Sequence, residues 1–361
     1  MNFRSYVAFA ACALALSACS NSDPDPPGEP EPNEPSELER TVAGRIDAAV
    51  EAGFSGAISV SVAGQRVGGG GHGLANRERG RENTEHTAFD VGSILKSFTA
   101  IAVFQLAEAG TVALGDTLAD LLPGVPPDKA AITLRELVQH SAGFDEYHDD
   151  TGDFEPMTRL EARERILAQE LLFEPGEDVS YSNSGYTLLA DIIETASGEA
   201  YTDYVRKHLF EPAELTESGF YSEAIWQTVP TAVGYDASTF GDNDPATWPY
   251  TWALVGNGGL VTTVADLDRW LSALFGGKLV TPATFELIEE EYLAEGAASL
   301  AGEVVYGEAG AGDYGLGGVV VYAPASDLRV IVATNTYEVF DIESFAIELS
   351  ELVLDGEFEE P

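Results

Sequence analysis

The sequence predicts an α/β lobe carrying an inserted all-α lobe, with a cleft at their junction. Three observations support this. Strand-like runs lie towards both ends of the chain, at 55–62 and 65–74 and again at 319–322 and 329–334. Between them, from about 114 to 255, apolar residues follow helical spacing with little strand character. At 45% hydrophobic and 10% aromatic, the 361 residues can bury a substantial core, so a strong excess of acids does not signal disorder.

In chain order, Leu38, Val42, Ile46 and Val50 recur every four residues and predict an amphipathic helix over 37–53. Ser55–Val62 and Gln65–Leu74 then form a hairpin turning at Ala63-Gly64. A helix is predicted from Ser93 to Glu108, stopped by Gly110. Within the inserted lobe, 159–170, 185–197 and 201–209 read as helices. The runs 319–322 and 329–334 are strands joined through Pro324–Asp327, and 342–354 closes the chain as a helix. Trp226, Trp248, Tyr250 and Trp252 are expected mainly as core, and Glu289-Glu290-Glu291 as a solvated acidic face.

Charge and composition exclude several functions. A formal net charge of -43 cannot displace the counterions of a phosphate backbone, so no nucleic-acid partner is expected. Such a surface suits high ionic strength, where salt screens self-repulsion. The two cysteines, Cys12 and Cys19, lie near the N-terminus and leave the body without thiol chemistry. None of the five histidines has metal-ligand spacing, and the glycines at 68–71 and 73 lack the surroundings of a phosphate loop. No metal or cofactor is expected.

Residues 1–18 have the basic start, short apolar run and small residues of an export signal. Leu16-Ser17-Ala18-Cys19 resembles a bacterial lipobox, which implies lipidation of Cys19. Residues 19–36 are rich in proline and acids, an extended tether reaching about 50 Å at about 3.1 Å per residue. The folded body is then expected at 37–361, held at the cell envelope by a lipid anchor alone, facing the periplasm or the outer surface, and monomeric.

Two short constellations carry chemistry. Ser93 and Lys96, three apart at the start of a helix, share one face, so the amine can reach the hydroxyl and accept its proton. The spacing alone is common. Here, however, Lys96 is one of only four lysines and lies among Val91, Ile94, Leu95, Phe98 and Ile101, the pattern of a buried helix. The helix N-terminus adds amide donors for an oxyanion. Tyr181-Ser182-Asn183 places a phenol, which a nearby lysine can hold as phenolate base, beside an amide that both donates and accepts. Read alone, that tripeptide is a turn.

Together these motifs resemble the serine beta-lactamase and penicillin-recognising superfamily, in its class C, esterase and D-alanyl-D-alanine peptidase branch. The likeness runs through Phe89–Ala100, Thr133–Gly143, Phe173-Glu174-Pro175-Gly176, Tyr181–Tyr186 and Gly258–Thr263, in that order. It implies a beta-lactamase-like fold, an antiparallel sheet flanked by helices with an inserted helical lobe. It also implies that Ser93 is acylated, that Lys96 and Tyr181 share the proton work, and that Asn183 contacts substrate, with His140 structural. The family's third motif, Lys-Thr-Gly or His-x-Gly on an inner strand, aligns with Glu308-Ala309-Gly310. An acid therefore stands where a substrate carboxylate usually meets a cation, with Gly310 completing the motif. Beyond Lys278 the chain has no lysine or histidine that a shifted alignment could supply. The expected function is an ester or amide hydrolase with weak beta-lactamase activity. The alternatives are a penicillin-binding module without turnover, and a D-alanyl-D-alanine carboxypeptidase or beta-lactamase. The expected partner is a small-molecule or peptide ester or amide.

Overall fold

Ser36 begins the folded body. Its hydroxyl accepts the Glu39 amide while the Glu39 carboxylate accepts the Ser36 amide, a capping box that starts α1 (Glu37–Glu51). The computed structural model describes residues 34–147, 152–235, 243–312 and 314–356. The export signal, Cys19, nearly all of the tether and His148 lie outside them.

After α1 come β1 (Gly56–Val62), β2 (Gln65–His72) and the short strands β3 (Leu74–Asn76), β4 (Arg81–Glu82) and β5 (Phe89–Asp90). The helical insertion then runs α2 (Leu95–Glu108), α3 (Leu118–Leu121), α4 (Leu134–Val138), α5 (Arg159–Leu167), α6 (Asn183–Ser197) and α7 (Tyr201–Val205). The strands β6 (Gly219–Phe220) and β7 (Leu260–Thr262) precede α8 (Val264–Phe275) and α9 (Pro282–Glu291). The chain ends with β8 (Ala297–Leu300), β9 (Glu303–Ala311), β10 (Gly317–Ala323), β11 (Leu328–Thr334) and α10 (Ile342–Leu354).

The main sheet has the order β2-β1-β11-β10-β9-β8 and its pairings are antiparallel, so strands from both ends of the chain meet at β1 and β11. Its central strands are apolar on both faces because both faces are covered. Val319, Val321, Val330 and Val332 pack with Val42, Ile46 and Phe345 of α1 and α10. Val320, Ile331 and Ala333 belong to a second core shared with α2, α6 and α8, and this core joins sheet and insertion without a break. The α2 helix is apolar nearly all round, and all its residues from Leu95 to Phe104 are buried.

The structure adds one hairpin and corrects two expectations. Residues 297–311 form a hairpin, β8–β9, although their glycine, alanine and glutamate content gives a poor strand signal; pairing with β10 overrides propensity there. Ser93 lies in a 3₁₀ turn, Gly92–Ile94, with the α-helix starting only at Leu95. The turn forms because Gly92 adopts φ +50° where the Ala311 backbone crosses it; a Cβ on Gly92 would lie 2.7 Å from the Ala311 nitrogen. The acidic run 289–291 is only partly solvated, since Glu291 accepts from Arg135 Nε at 2.9 Å and Gln139 Nε2 at 2.8 Å. Trp248 is buried against Phe154, Tyr221 and Tyr314, as expected of core.

Candidate active site

The turn that presents Ser93 is tied down from both sides. Val91 donates to the Leu260 carbonyl of β7 at 3.0 Å, and the Gly92 amide donates to Asp90 Oδ1 at 3.1 Å. Tyr221 donates to the other Asp90 oxygen at 2.9 Å. Burial pushes the Asp90 carboxyl up to about 6, against these hydrogen bonds. One helical turn later, the buried Lys96 amine donates to Ser93 Oγ at 3.1 Å and to the Asn257 carbonyl at 2.7 Å. Asn257 is itself fixed by donating to Thr187 Oγ1 and the Ala253 carbonyl.

Tyr181 arrives from the opposite side. Ser182 caps α6 by accepting the Gly185 amide at 3.1 Å, so the residue before it leaves the helix end and projects into the cleft. Its hydroxyl lies 2.5 Å from Ser93 Oγ, and its ring centroid 4.7 Å from Lys96 Nζ. His140 holds this segment. Its carbonyl accepts the Ser180 amide, its Nδ1 accepts the Ser182 amide at 3.0 Å, and its ring stacks on Tyr181 and Tyr186 at 4.9 and 4.8 Å. Burial, reinforced by Lys96, presses the imidazole down to about 4. His140 is thus neutral at pH 7, with the ring proton on Nε2, and acts on Tyr181 by position.

The protonation states separate the two candidate bases. Burial pushes the Lys96 amine down to about 7, although Glu146, Asp153 and Glu308 pull it back up. Desolvation pushes the Tyr181 phenol up to about 12, opposed by the Ser93 hydrogen bond. With its phenol pushed up, Tyr181 stands on the proton-donating side of the pair near neutral pH. Lys96 is the group that can be neutral and accept a proton.

Glu308 sits on β9 opposite Val320, on the sheet face turned towards α2 and α8. Tyr292 donates to its Oε1 at 2.9 Å, and it interacts with Ser97. Burial raises its carboxyl to about 7, against Tyr292, Ser97 and Lys96. Gly310 lies two residues on, where a Cβ would fall 2.1 Å from the Val91 carbonyl oxygen and 2.5 Å from the Ser93 nitrogen. Only glycine lets β9 press against the nucleophile turn. The fold thus gathers Ser93, Lys96, Tyr181, Glu308 and Gly310 about one cleft. Asn183 is the first residue of α6, and its backbone N–H donates to Glu146 Oε1 at 2.8 Å.

Sequence reasoning missed Asn257, Glu146, Asp153 and Tyr292. Asn257 could have been suspected from its place just before Gly258-Gly259. The two acids could not, because nothing distinguishes them from the many solvated ones in a chain with 61. Among the described residues no group of side chains could hold a metal ion, and no helix is long and apolar enough to cross a membrane.

Comparison with known proteins bears on the fold and the family. PbpX of Bacillus subtilis, which carries the name of a penicillin-binding protein, is 32% identical over 65% of this chain and 59% of its own. Penicillin-binding protein 4* of the same organism is 30% identical over 48% of this chain and 39% of its own, so the chain spans well under two thirds of these curated relatives. The octameric penicillin-binding protein homologue from Pyrococcus abyssi superposes with a TM-score of 0.74 at 25% identity, over 88% of this chain and 77% of that one. D-amino acid amidase from Ochrobactrum anthropi shares the fold at TM-score 0.75 and 20% identity, over 89% and 99% of the two chains. The beta-lactamase family model matches residues 40–346. The chain belongs to the beta-lactamase family.

Proposed function

We propose that this protein is an exported, lipid-anchored hydrolase that forms an acyl-enzyme on Ser93 and turns over neutral or cationic esters and amides, with weak activity on beta-lactams. The observation that carries the proposal is the convergence of Lys96 Nζ and Tyr181 Oη on Ser93 Oγ, at 3.1 and 2.5 Å. The neutral Lys96 amine takes the Ser93 proton as Oγ attacks the substrate carbonyl. The Ser93 amide, in the first turn of the helix, faces the developing oxyanion, with the Ala311 backbone across the turn from it. The Tyr181 phenol gives its proton to the departing alcohol or amine and recovers one from the Lys96 ammonium, which leaves the amine neutral again; water then attacks the acyl-enzyme, giving its proton to Lys96 while Tyr181 returns one to Ser93 Oγ.

Charge supports the substrate class. Glu146, Asp153 and Glu308 all lie within electrostatic reach of Lys96. An anionic substrate group about 5 Å from one of these carboxylates meets a penalty of roughly 3 kcal/mol at an effective dielectric of about 20. Neutral esters and amides escape it. Turnover of p-nitrophenyl esters by the purified body, lost in Ser93→Ala, is the expected result. Rapid hydrolysis of a cephalosporin would refute the substrate claim.

A further inference from the structure

A cavity of about 310 Å³ adjoins Tyr181, whose hydroxyl is 2.5 Å from Ser93 Oγ, and lies between α8, the segment after α9 and the sheet. Its floor is the buried trio Trp270, Leu271 and Leu274, with Val320 and Tyr322 of β10 along one side. Tyr181 and His140 form the wall nearest the catalytic serine. Exposed Gly296 and Gly307 and half-buried Tyr306 leave the rim open. Ser97 and His140 bring polar atoms to this lining, and the Glu308 carboxyl, with the Tyr292 hydroxyl on its Oε1, adds a placed polar pair. A small, largely apolar cleft with one placed polar pair has the form of a ligand subsite, at the lower end of the usual size range.

We propose that this cavity receives the leaving group of the substrate, selecting an uncharged alkyl or aryl substituent of about four to six carbons. The inference rests on the hydrolase reading above. In that reading the leaving atom must face the Tyr181 hydroxyl to receive its proton, which directs the substituent beyond it along the Tyr181 ring and into the cavity. The acyl portion leaves the carbonyl carbon in another direction and stays outside. Glu308 on the wall rejects a carboxylate tail by like charge as it ionises.

The test compares two ester series by pH-stat at pH 8: ethyl, butyl and hexyl acetate, which vary the leaving group, and ethyl acetate, butyrate and hexanoate, which vary the acyl group. Full burial allows up to about fourfold per methylene. The expected result is a rise in kcat/KM of at least tenfold from ethyl to hexyl acetate, with less than threefold change along the acyl series. In addition, 5-carboxypentyl acetate should fall at least tenfold below hexyl acetate. In Leu274→Trp, which fills the floor, the hexyl-to-ethyl ratio should collapse towards one. A leaving-group series that is flat, or a rise confined to the acyl series, overturns the proposal. Independently of turnover, 1-hexanol should slow fluorophosphonate labelling of Ser93 more than ethanol does; equal slowing also overturns it. Absence of labelling in the wild-type protein would instead sink the hydrolase reading itself.

Discussion

The nucleophile segment, 89–96, and strand β9 touch each other, yet they hold their functional residues by opposite means. Lys96 hangs from a helix buried on all sides and Ser93 from the 3₁₀ turn leading into it, so their spacing is set by core packing and by the Val91 backbone bond to β7. Glu308 stands on a strand in which only Val305 and Gly310 are buried, so its exposed side chains can vary without disturbing the core. The difference separates chemistry from selectivity. Changes to the helix should destroy the reaction, while changes to β9 should alter which substrate reacts.

The largest effects are expected at the helix. Ser93→Ala and Lys96→Met should each lower p-nitrophenyl ester turnover by more than about a thousandfold without unfolding the protein, measured by steady-state kinetics and thermal unfolding. Lys96→Met also tests the buried amine. Its folded-state value, about 7, is below the ordinary 10.5, so the unfolded chain binds more protons between these limits. The wild-type protein should gain stability as pH rises from 7 to 10.5, and Lys96→Met should be most stabilising below pH 7. A pH-independent difference between the two would argue against a depressed Lys96.

Next comes the contact between the two regions. Gly310→Ala places a methyl against the Val91 carbonyl and the Ser93 amide, and should cost about 1–3 kcal/mol of stability with a turnover loss near a hundredfold. Retained activity would mean that β9 does not press on the turn. Glu308→Lys is expected to raise acylation by a fluorescent penicillin about tenfold while neutral ester turnover changes far less, sharpening the split between chemistry and selectivity. Glu308→Gln removes a charge that pulls the Lys96 value up, so the acidic limb of the kcat/KM profile should move to lower pH. The smallest effect is expected at His140. His140→Phe keeps the stacking but loses the Nδ1 acceptor for Ser182, and should slow turnover about threefold to tenfold through kcat, in line with a hydrogen bond of about 1 kcal/mol.

Much of the fold was legible because apolar spacing is a local property. The α1 period, the 63–64 hairpin and the α10 helix stand where the spacing places them. The β8–β9 hairpin was hidden because Gly307, Ala309 and Gly310 have no strand preference of their own, and only pairing with β10 makes them a strand. In the site, Ser93, Lys96 and Tyr181 were readable from motif order. Glu146 and Asp153 were not, because an acid in an acid-rich chain acquires significance only from what it faces.

By itself, the sequence pointed to a kind of chemistry only through several motifs in one order, since a serine and a lysine one helical turn apart are common and gain meaning beside Tyr181-Ser182-Asn183 and the later stretches. It also determined the anomaly at position 308, through the absence of any later lysine or histidine. Only the tertiary structure decided how protons are divided. Desolvation depends on everything packed around a group, and it drives Lys96 down, Tyr181 and Glu308 up, and His140 to neutrality. It likewise decided that an apolar cavity adjoins Tyr181, because that space is enclosed by α8, β9 and β10, which are distant from Tyr181 in the chain.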